Sequence, residues 1–480
     1  MKNLKKKTAM IAIGAMTVIP ILSTTSVLAQ VNTNKGGNAI LALEQSYINR
    51  LKKRIDTVRL MNGVEKLATG DDARLSGLEG EKKAAEYIAS EFKSLGLKTE
   101  IREFDLGKAA SGGKGYVNVG NESYAVESFN GGTPFKEGFE ENIINIGYGN
   151  SDAEYEGKDV EGKVVIVKRG GTGDATFANK AALANKHKAG ALIIYNHTPG
   201  AGIPWNTAGK STIPVLGMSY EDGEKLLDNL KINNDLKLTS DINIEYVEHG
   251  ISRNVVATIP ASKNPENAKT VIVGAHFDSV NCPGANDNAT GTSVLLEAAR
   301  LLSTPDMKKA FNYNIQFVAF GTEELGLSGS NVFVNELKSS GDIENIQAMI
   351  NMDMVGTGDT MRLSQYRSEI SEVNKIAEKH IKDNEIKYSG SIGTGATSSD
   401  HYPFELAGIP VAYFSVSRDP YYHTDNDTID KITPINLKNT ANVLVSTLID
   451  MQDMEQRKHN VNTELKSIIP KNINTQLENK

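Results

Sequence analysis

The sequence predicts an α/β sandwich interrupted by a smaller β-rich module, and three features of the pattern carry that expectation. From Arg253 onward, short apolar runs alternate with longer amphipathic ones, the strand–helix rhythm of an α/β domain. Several of those runs, such as Val271–Val273 and Ile315–Phe320, are apolar almost throughout, as expected of strands covered on both faces. Between about Gly107 and Val247 the texture differs: glycine is frequent and the apolar runs are short, which marks off a separate compact module.

In chain order, the first residues stand apart. Lys2, Lys5, Lys6 and Lys7 precede an apolar run from Ala9 to Leu22, followed by Ser23–Ser26 and Val27–Ala29. A charged start, a short apolar core and a small-residue end are the parts of a secretory signal peptide, expected to be cut after Ala29. The run of about 14 residues falls short of the roughly 20 that span a bilayer as a permanent helix, so no stable membrane anchor is expected and the mature chain is secreted, extracellular. Removing those four lysines and no carboxylate takes the net charge from -7 to -11. A chain this acidic is a poor partner for nucleic acid. Cys282 is the one cysteine, so no intramolecular disulfide forms even in an oxidising compartment. Any cross-link through metal must use histidines and carboxylates.

Residues 41–97 follow helical spacing in two stretches. Ile48, Leu51, Ile55, Val58 and Leu60 mark the apolar face of the first, and Glu81–Leu95, ended by Gly96, forms the second. Lys98–Phe104 alternates as a strand does. Within the module, Val164–Val167, Ala191–Tyr195 and Ile213–Leu216 are strand candidates and Phe177–Ala189 a helix; His187 and His197 lack carboxylates at ligand spacing and read as surface residues. Beyond it, the expected strands are Val255–Ile259, Val271–Val273, Ile315–Phe320, Ile346–Met352 and Ile409–Phe414. The expected helices are Gly291–Ser303, Ser328–Leu337, Ser368–Asp383 and Ile435–Asp453. The boundaries that follow are a signal peptide over 1–29, an N-terminal part of the main domain over 30–115, the inserted module over 116–247, the rest of the main domain over 248–456 and a polar tail over 457–480.

The histidines and carboxylates with chemical potential share one structural address. His276 and Asp278 follow the Val271 strand, Asp287 lies in the loop after it, Glu323 and Glu324 follow the Ile315 strand, Asp353 ends the Ile346 strand, and His423 follows the Ile409 strand. Loops past the carboxyl ends of strands in an open α/β sheet converge on one crevice. Singly, each residue has a plainer role: Asp287 as a turn former, Glu323–Glu324 as a helix start, His276 as a satisfied core histidine. Together they place several carboxylates in one crevice, and a metal pair supplies the positive charge such a cluster needs. Nitrogen and oxygen donors without thiolate suit zinc, and also cobalt or manganese. Gly284 and Gly291 flank the Asn286–Asn288 segment, as expected of a loop turning sharply to aim Asp287. Cys282 beside that loop reads as inert packing.

These motifs resemble a known family. His276–Asp278, Gly284–Gly291, Thr322–Ser330, Asn351–Gly356 and Tyr422–Asp425 are similar to the signatures of the secreted di-zinc aminopeptidases, which include bacterial leucyl and streptomycete aminopeptidases. The module, with Gly162–Gly170 and Gly190–Tyr195, resembles the protease-associated (PA) domain inserted in many of them, and the whole arrangement looks most like the Bacillus-type enzymes. The resemblance implies a zinc-peptidase three-layer α/β/α sandwich with a mixed sheet. It implies that His276 and Asp353 hold one zinc, that Glu324 and His423 hold the other, and that Asp287 bridges both. Glu323 is then the general base, Asp278 orients His276, and Tyr422 donates to the tetrahedral intermediate. Asp400, in Ser399–His401, is expected to shape or charge the substrate pocket or else to cap the following helix, and His401 to be structural.

The implied activity is removal of N-terminal residues from peptides with free N-termini by a monomeric enzyme carrying two zinc ions per chain. Carboxypeptidase or endopeptidase action on the same scaffold is the alternative. A glutaminyl-cyclase-like enzyme with one zinc and a non-catalytic binding protein rank lower, because every ligand position is filled. The inserted module is expected to restrict access to the cleft.

Overall fold

Four neighbouring parallel strands set the geometry of the larger domain. In chain order the strands are β1 (Lys98–Asp105), β2 (Ala110–Gly112), β3 (Lys114–Val119), β4 (Glu122–Ser128), β5 (Glu140–Gly147), β6 (Val164–Lys168), β7 (Ala191–Tyr195), β8 (Val215–Met218), β9 (Lys237–Ile242), β10 (Glu245–Val247), β11 (Ile251–Ile259), β12 (Thr270–His276), β13 (Asn314–Phe320), β14 (Ile346–Met352), β15 (Met361–Gln365), β16 (Tyr388–Ile392) and β17 (Val411–Val416). The computed structural model describes residues 45–69, 73–200, 202–392, 397–416 and 419–453. The predicted signal peptide and polar tail lie outside the described residues, as does nearly all of a first unit, Met1–Tyr47; the second unit begins at Ile48.

The main sheet runs β1-β11-β13-β12-β14-β17-β15-β16. It is mixed: β13, β12, β14 and β17 are parallel, whereas β11 and β15 join antiparallel on either side. The central strands are buried along nearly their whole length, which accounts for their mostly apolar sequences. Strand β12 lies between β13 and β14, so the chain leaves it first to one side and then to the other. That reversal opens a crevice at the carboxyl ends of the strands.

The helix Thr290–Leu302 follows β12, and buried Leu295, Ala298, Leu301 and Leu302 are among the residues that cover the sheet. The first helical stretch departs from its expected face. Asp56 interrupts it, and its carboxylate accepts from the amides of Val58 and Arg59 to start a new helix, Thr57–Ala68. The phase therefore resets, and Val58, expected on the buried face, is 65% exposed.

Strands β3-β4-β8-β7-β6-β5-β9 close into a barrel. Alternation divides its apolar strands between two cores: Val164, Ile166, Ala191 and Ile193 face one cluster with Val117, Val126 and Leu216, while Val165, Val167, Leu192 and Ile194 face another with Ala181 and Ala184 of the helix Phe177–Lys186. The short pair β2–β10 connects barrel and sheet. His187 does meet a carboxylate, Asp152, at 2.8 Å, and stacks on Tyr155; the partner lies 35 residues earlier in the chain, beyond the reach of spacing rules.

Candidate metal centre

The four parallel strands deliver the site. His276 ends β12, Glu323 and Glu324 follow β13, Asp353 follows β14, and His423 lies in the turn after β17. Three of these junctions are bent into the left-handed backbone region: Thr322 (φ 55°), Met354 (φ 56°) and His423 itself (φ 57°). A β-branched threonine rarely adopts that conformation, so the fold holds the turn that presents Glu323 against a local preference.

The donor atoms converge. His276 Nε2 lies 3.2 Å from Asp287 Oδ1 and 3.2 Å from Asp353 Oδ1. His423 Nε2 lies 3.2 Å from Asp287 Oδ2 and 3.0 Å from Glu324 Oε2. Asp287 thus turns one oxygen to each histidine. His276, Glu323 and Glu324 also bring donor atoms within 4.8 Å of one another. Two ligands each about 2.0–2.2 Å from a tetrahedral zinc stand roughly 3.3 Å apart, close to the spacings observed. His423 Nε2 and Glu324 Oε1 are buried without a hydrogen-bond partner among the described residues, as donors aimed at a cation would be. The donor set fits zinc.

The electrostatics agree. Burial lowers the basicity of His276, but Asp353 and Glu323 outweigh it and raise the pKa well above the usual value. His423, half-buried, is pushed up to about 10, Glu324 and Asp287 outweighing its partial desolvation. Burial and Asp287 lift Glu324 to about 7, and burial, with Glu324, Asp353 and Asp400 nearby, raises Glu323 well above the usual carboxylate range against the pull of His276. Asp287 is held below the usual range because the two histidines against its oxygens, His276 and His423, overcome its burial. The cluster calls for positive charge at its centre.

Around it lies a supporting layer that sequence reading only partly anticipated. Asp278 Oδ1 is 3.5 Å from His276 Nδ1, too far for a strong hydrogen bond. Its firm bonds are to the amides of Glu323 (3.0 Å) and Glu324 (3.2 Å) and the hydroxyl of Ser76 (2.9 Å). Asp278 therefore orients the two glutamates more directly than the histidine. Asp427 accepts from the amides of Asn286 and Asp287. Asn288 donates to Met352 O and accepts from the amides of Gly291 and Met354. Gly284 takes φ 61°, as its turn requires, but Gly291 is needed for space: a Cβ there would stand 2.3 Å from Met352 O. Buried Arg74 donates to the carbonyls of Leu67, Phe277, Pro283 and Gly284, and nothing in its local sequence signals that role.

A cleft of about 320 Å³ opens over Asp287, Glu323, Glu324 and Asp353, with Tyr413, Tyr422, Ser398 and Arg362 in its walls. Tyr422 is half-exposed and its ring stacks 3.7 Å from that of His423. Asp400 is not in the lining; it is wholly buried, and Ser398 occupies the wall instead. It also makes no side-chain cap to the helix it precedes. Asp400 therefore lies behind the cleft rather than in its wall: burial, with Asp278 and Asp353 near, raises it to about 7, and its charge acts on Glu323. His401 is buried and stacks on Tyr413. Cys282 is buried and free, outside the converging donor groups. From the barrel, Lys114 pairs with Glu127 (3.2 Å) and with Asp425, two residues past His423.

Residues 254–448 match peptidase family M28, and residues 131–226 match the PA domain. Aminopeptidase YwaD of Bacillus subtilis (strain 168) is 31% identical over 418 residues, covering 84% of this chain and 87% of that one. The chain belongs to peptidase family M28. Leucine aminopeptidase 2 of Trichophyton rubrum is 26% identical over 80% of this chain and 81% of that protein. Among solved structures, BSAP, a zinc aminopeptidase from Bacillus subtilis, aligns with a TM-score of 0.68 at 29% identity, covering 84% of this chain and 96% of that one. An aminopeptidase from Aneurinibacillus sp. strain AM-1 aligns at 0.62 with the same identity and coverage. The M28 match begins within β11 and covers the strands that carry every converging donor, while the PA match falls inside the closed barrel.

Proposed function

We propose that the chain is a secreted zinc aminopeptidase that works with two metal ions. The observation that carries the reading is the Asp287 carboxylate, with one oxygen 3.2 Å from His276 Nε2 and the other 3.2 Å from His423 Nε2. It makes two donor sets that share one bridge, His276–Asp353–Asp287 and His423–Glu324–Asp287. The named aminopeptidases among its relatives support the reaction class. Secretion rests on the pattern of the first 29 residues. Among the described residues, no helix is long and apolar enough to cross a membrane.

Zinc at these positions supplies Lewis acidity toward the scissile carbonyl and lowers the pKa of a water. The chain's own groups do the rest. Glu323, with its raised affinity for protons, takes one from the attacking water and returns it to the leaving amine. Asp278 holds the backbone of both glutamates. Tyr422, stacked on His423 at the cleft wall, donates its hydroxyl to the oxygen that gains charge on the tetrahedral carbon. Carboxylates near the metals hold the substrate's ammonium group, and the barrel limits access to small or unfolded peptides.

The test is a metal count together with a substrate pair. The mature chain should carry two zinc ions and cleave an amino-acid p-nitroanilide but not its N-acetyl form. Cleavage of the acetylated form points instead to endopeptidase action, and one metal per chain with cyclising activity to a glutaminyl-cyclase-like enzyme. Glu323→Gln should keep both metals and lose about 10²–10⁴-fold in kcat; full activity in that variant removes Glu323 from the mechanism.

A further inference from the structure

We propose that Arg362 is a specificity determinant of the cleft, recognising a carboxylate that the substrate carries close to the scissile bond. The inference rests on the aminopeptidase reading and deepens it by naming a class of preferred substrate.

The strand register places the residue. Arg362 on β15 lies directly opposite Ser415 on β17, and antiparallel partners project from the same face of a sheet. Tyr413, two residues before Ser415, shares that face by alternation. Tyr413, Ser415 and Arg362 all line the cleft that contains the converging carboxylates.

Charge singles it out further. Arg362 is the one lysine or arginine among the described residues that line this cleft, which it shares with Asp287, Glu323, Glu324, Asp353 and Asp419. The first four are engaged in the metal cluster and its proton transfer. Asp419 is engaged as well: Oδ1 accepts from the Tyr421 amide at 2.9 Å and Oδ2 from Asn286 Nδ2 at 2.7 Å. The structure records no hydrogen bond or ion pair for the Arg362 side chain among the described residues. A half-buried guanidinium with its donors unspent, in the wall of a peptide-binding cleft, matches the geometry of a carboxylate, which it binds through two parallel hydrogen bonds. A peptide offers carboxylates from three sources: an acidic first side chain, an acidic second side chain, or the free C-terminus of a dipeptide.

Three acid–neutral pairs separate the sources: Glu- against Gln-p-nitroanilide, Leu-Asp-amide against Leu-Asn-amide, and Leu-Gly against Leu-Gly-amide. In the zinc-loaded wild type, at least one acid should exceed its neutral partner in kcat/KM by about tenfold or more, the worth of a charge-assisted pair. In Arg362→Met, which keeps the aliphatic stem, that ratio should fall to about one; in Arg362→Lys it should be intermediate. Because the ratio is taken within one preparation, loss of folded enzyme cancels. No preference in any pair, alongside good turnover of Leu-p-nitroanilide, overturns this inference and leaves the aminopeptidase reading intact, as does a preference that survives Arg362→Met. Failure of the wild type to cleave Leu-p-nitroanilide or any of the six overturns both.

Discussion

Arg74 offers the sharpest test of how this fold holds its metal loop. Its side chain is buried, with no carboxylate within ion-pair distance among the described residues. Its guanidinium donates to Phe277 O at 2.6 Å, Leu67 O at 2.8 Å, Pro283 O at 2.7 Å and Gly284 O at 2.8 Å. Phe277 follows His276, and Pro283 and Gly284 lead into Asp287, so one cation ties together both arms of the bridging half of the site. Arg74→Met retains most of the volume and removes every side-chain donor. Each carbonyl left buried without a partner costs about 1–3 kcal/mol. Relief from burying a guanidinium offsets part of that, leaving roughly 3–5 kcal/mol. If about 3 kcal/mol of this falls on the arrangement of His276 and Asp287, zinc binding weakens by about 100-fold, at 1.4 kcal/mol per tenfold. The assay is chelator competition for zinc, with thermal denaturation of the metal-free chain alongside; Arg74→Lys, with fewer donors in a different geometry, should recover only part of the loss. Zinc affinity within about threefold of wild type, with an unchanged first unfolding transition, would refute the reasoning.

Other consequences follow from the surroundings of the site. Buried Glu81 is pushed up to about 8 by desolvation, against bonds from Ser252 and the Gly77 amide. The folded chain keeps this proton after the unfolded chain releases it near pH 4.3, so the contribution to stability is present below that pH and is lost as pH rises to about 8. Glu81→Gln should therefore gain about a few kcal/mol relative to wild type between pH 4.5 and 8.5 in denaturant unfolding; a pH-independent difference counts against it. In Gly291→Ala the new Cβ would stand 2.3 Å from Met352 O and 2.5 Å from Asn288 Oδ1. It should cost about 1–3 kcal/mol and weaken zinc retention, despite the higher helix propensity of alanine; a stabilised variant would show that the loop has room.

Legibility in the sequence tracked how local each cause was. Runs such as Val164–Val167 and Ile315–Phe320 announced strands because burial of the strand on both faces selects mostly apolar residues. Strands β15 and β16, Met361-Arg-Leu-Ser-Gln365 and Tyr388-Ser-Gly-Ser-Ile392, went unread because polar residues and glycine interrupt them and neither carries such a run. The expected face of the first helical stretch failed at Val58 because one capping aspartate, Asp56, restarted the helix. Asp287, Glu324, Asp353, His276 and His423 were legible because each sits in a motif at or past the carboxyl end of a strand, His276 and Asp287 sharing β12.

The sequence by itself determined the alternation of strand and helix, the separate β-rich module, and the residues with donor atoms to offer. Strand pairing decided that those donors meet, since His276, Glu324, Asp353 and His423 are brought to one edge only when β13, β12, β14 and β17 lie side by side in parallel. Packing also decided what supports and surrounds them: Arg74 beneath the metal loop, Asp278 on the glutamate amides, Asp400 behind the cleft and Arg362 in its wall. The partners of Arg74 and Asp278 are as many as 210 residues away in the chain, mostly at backbone groups whose positions depend on the whole fold rather than on any local pattern.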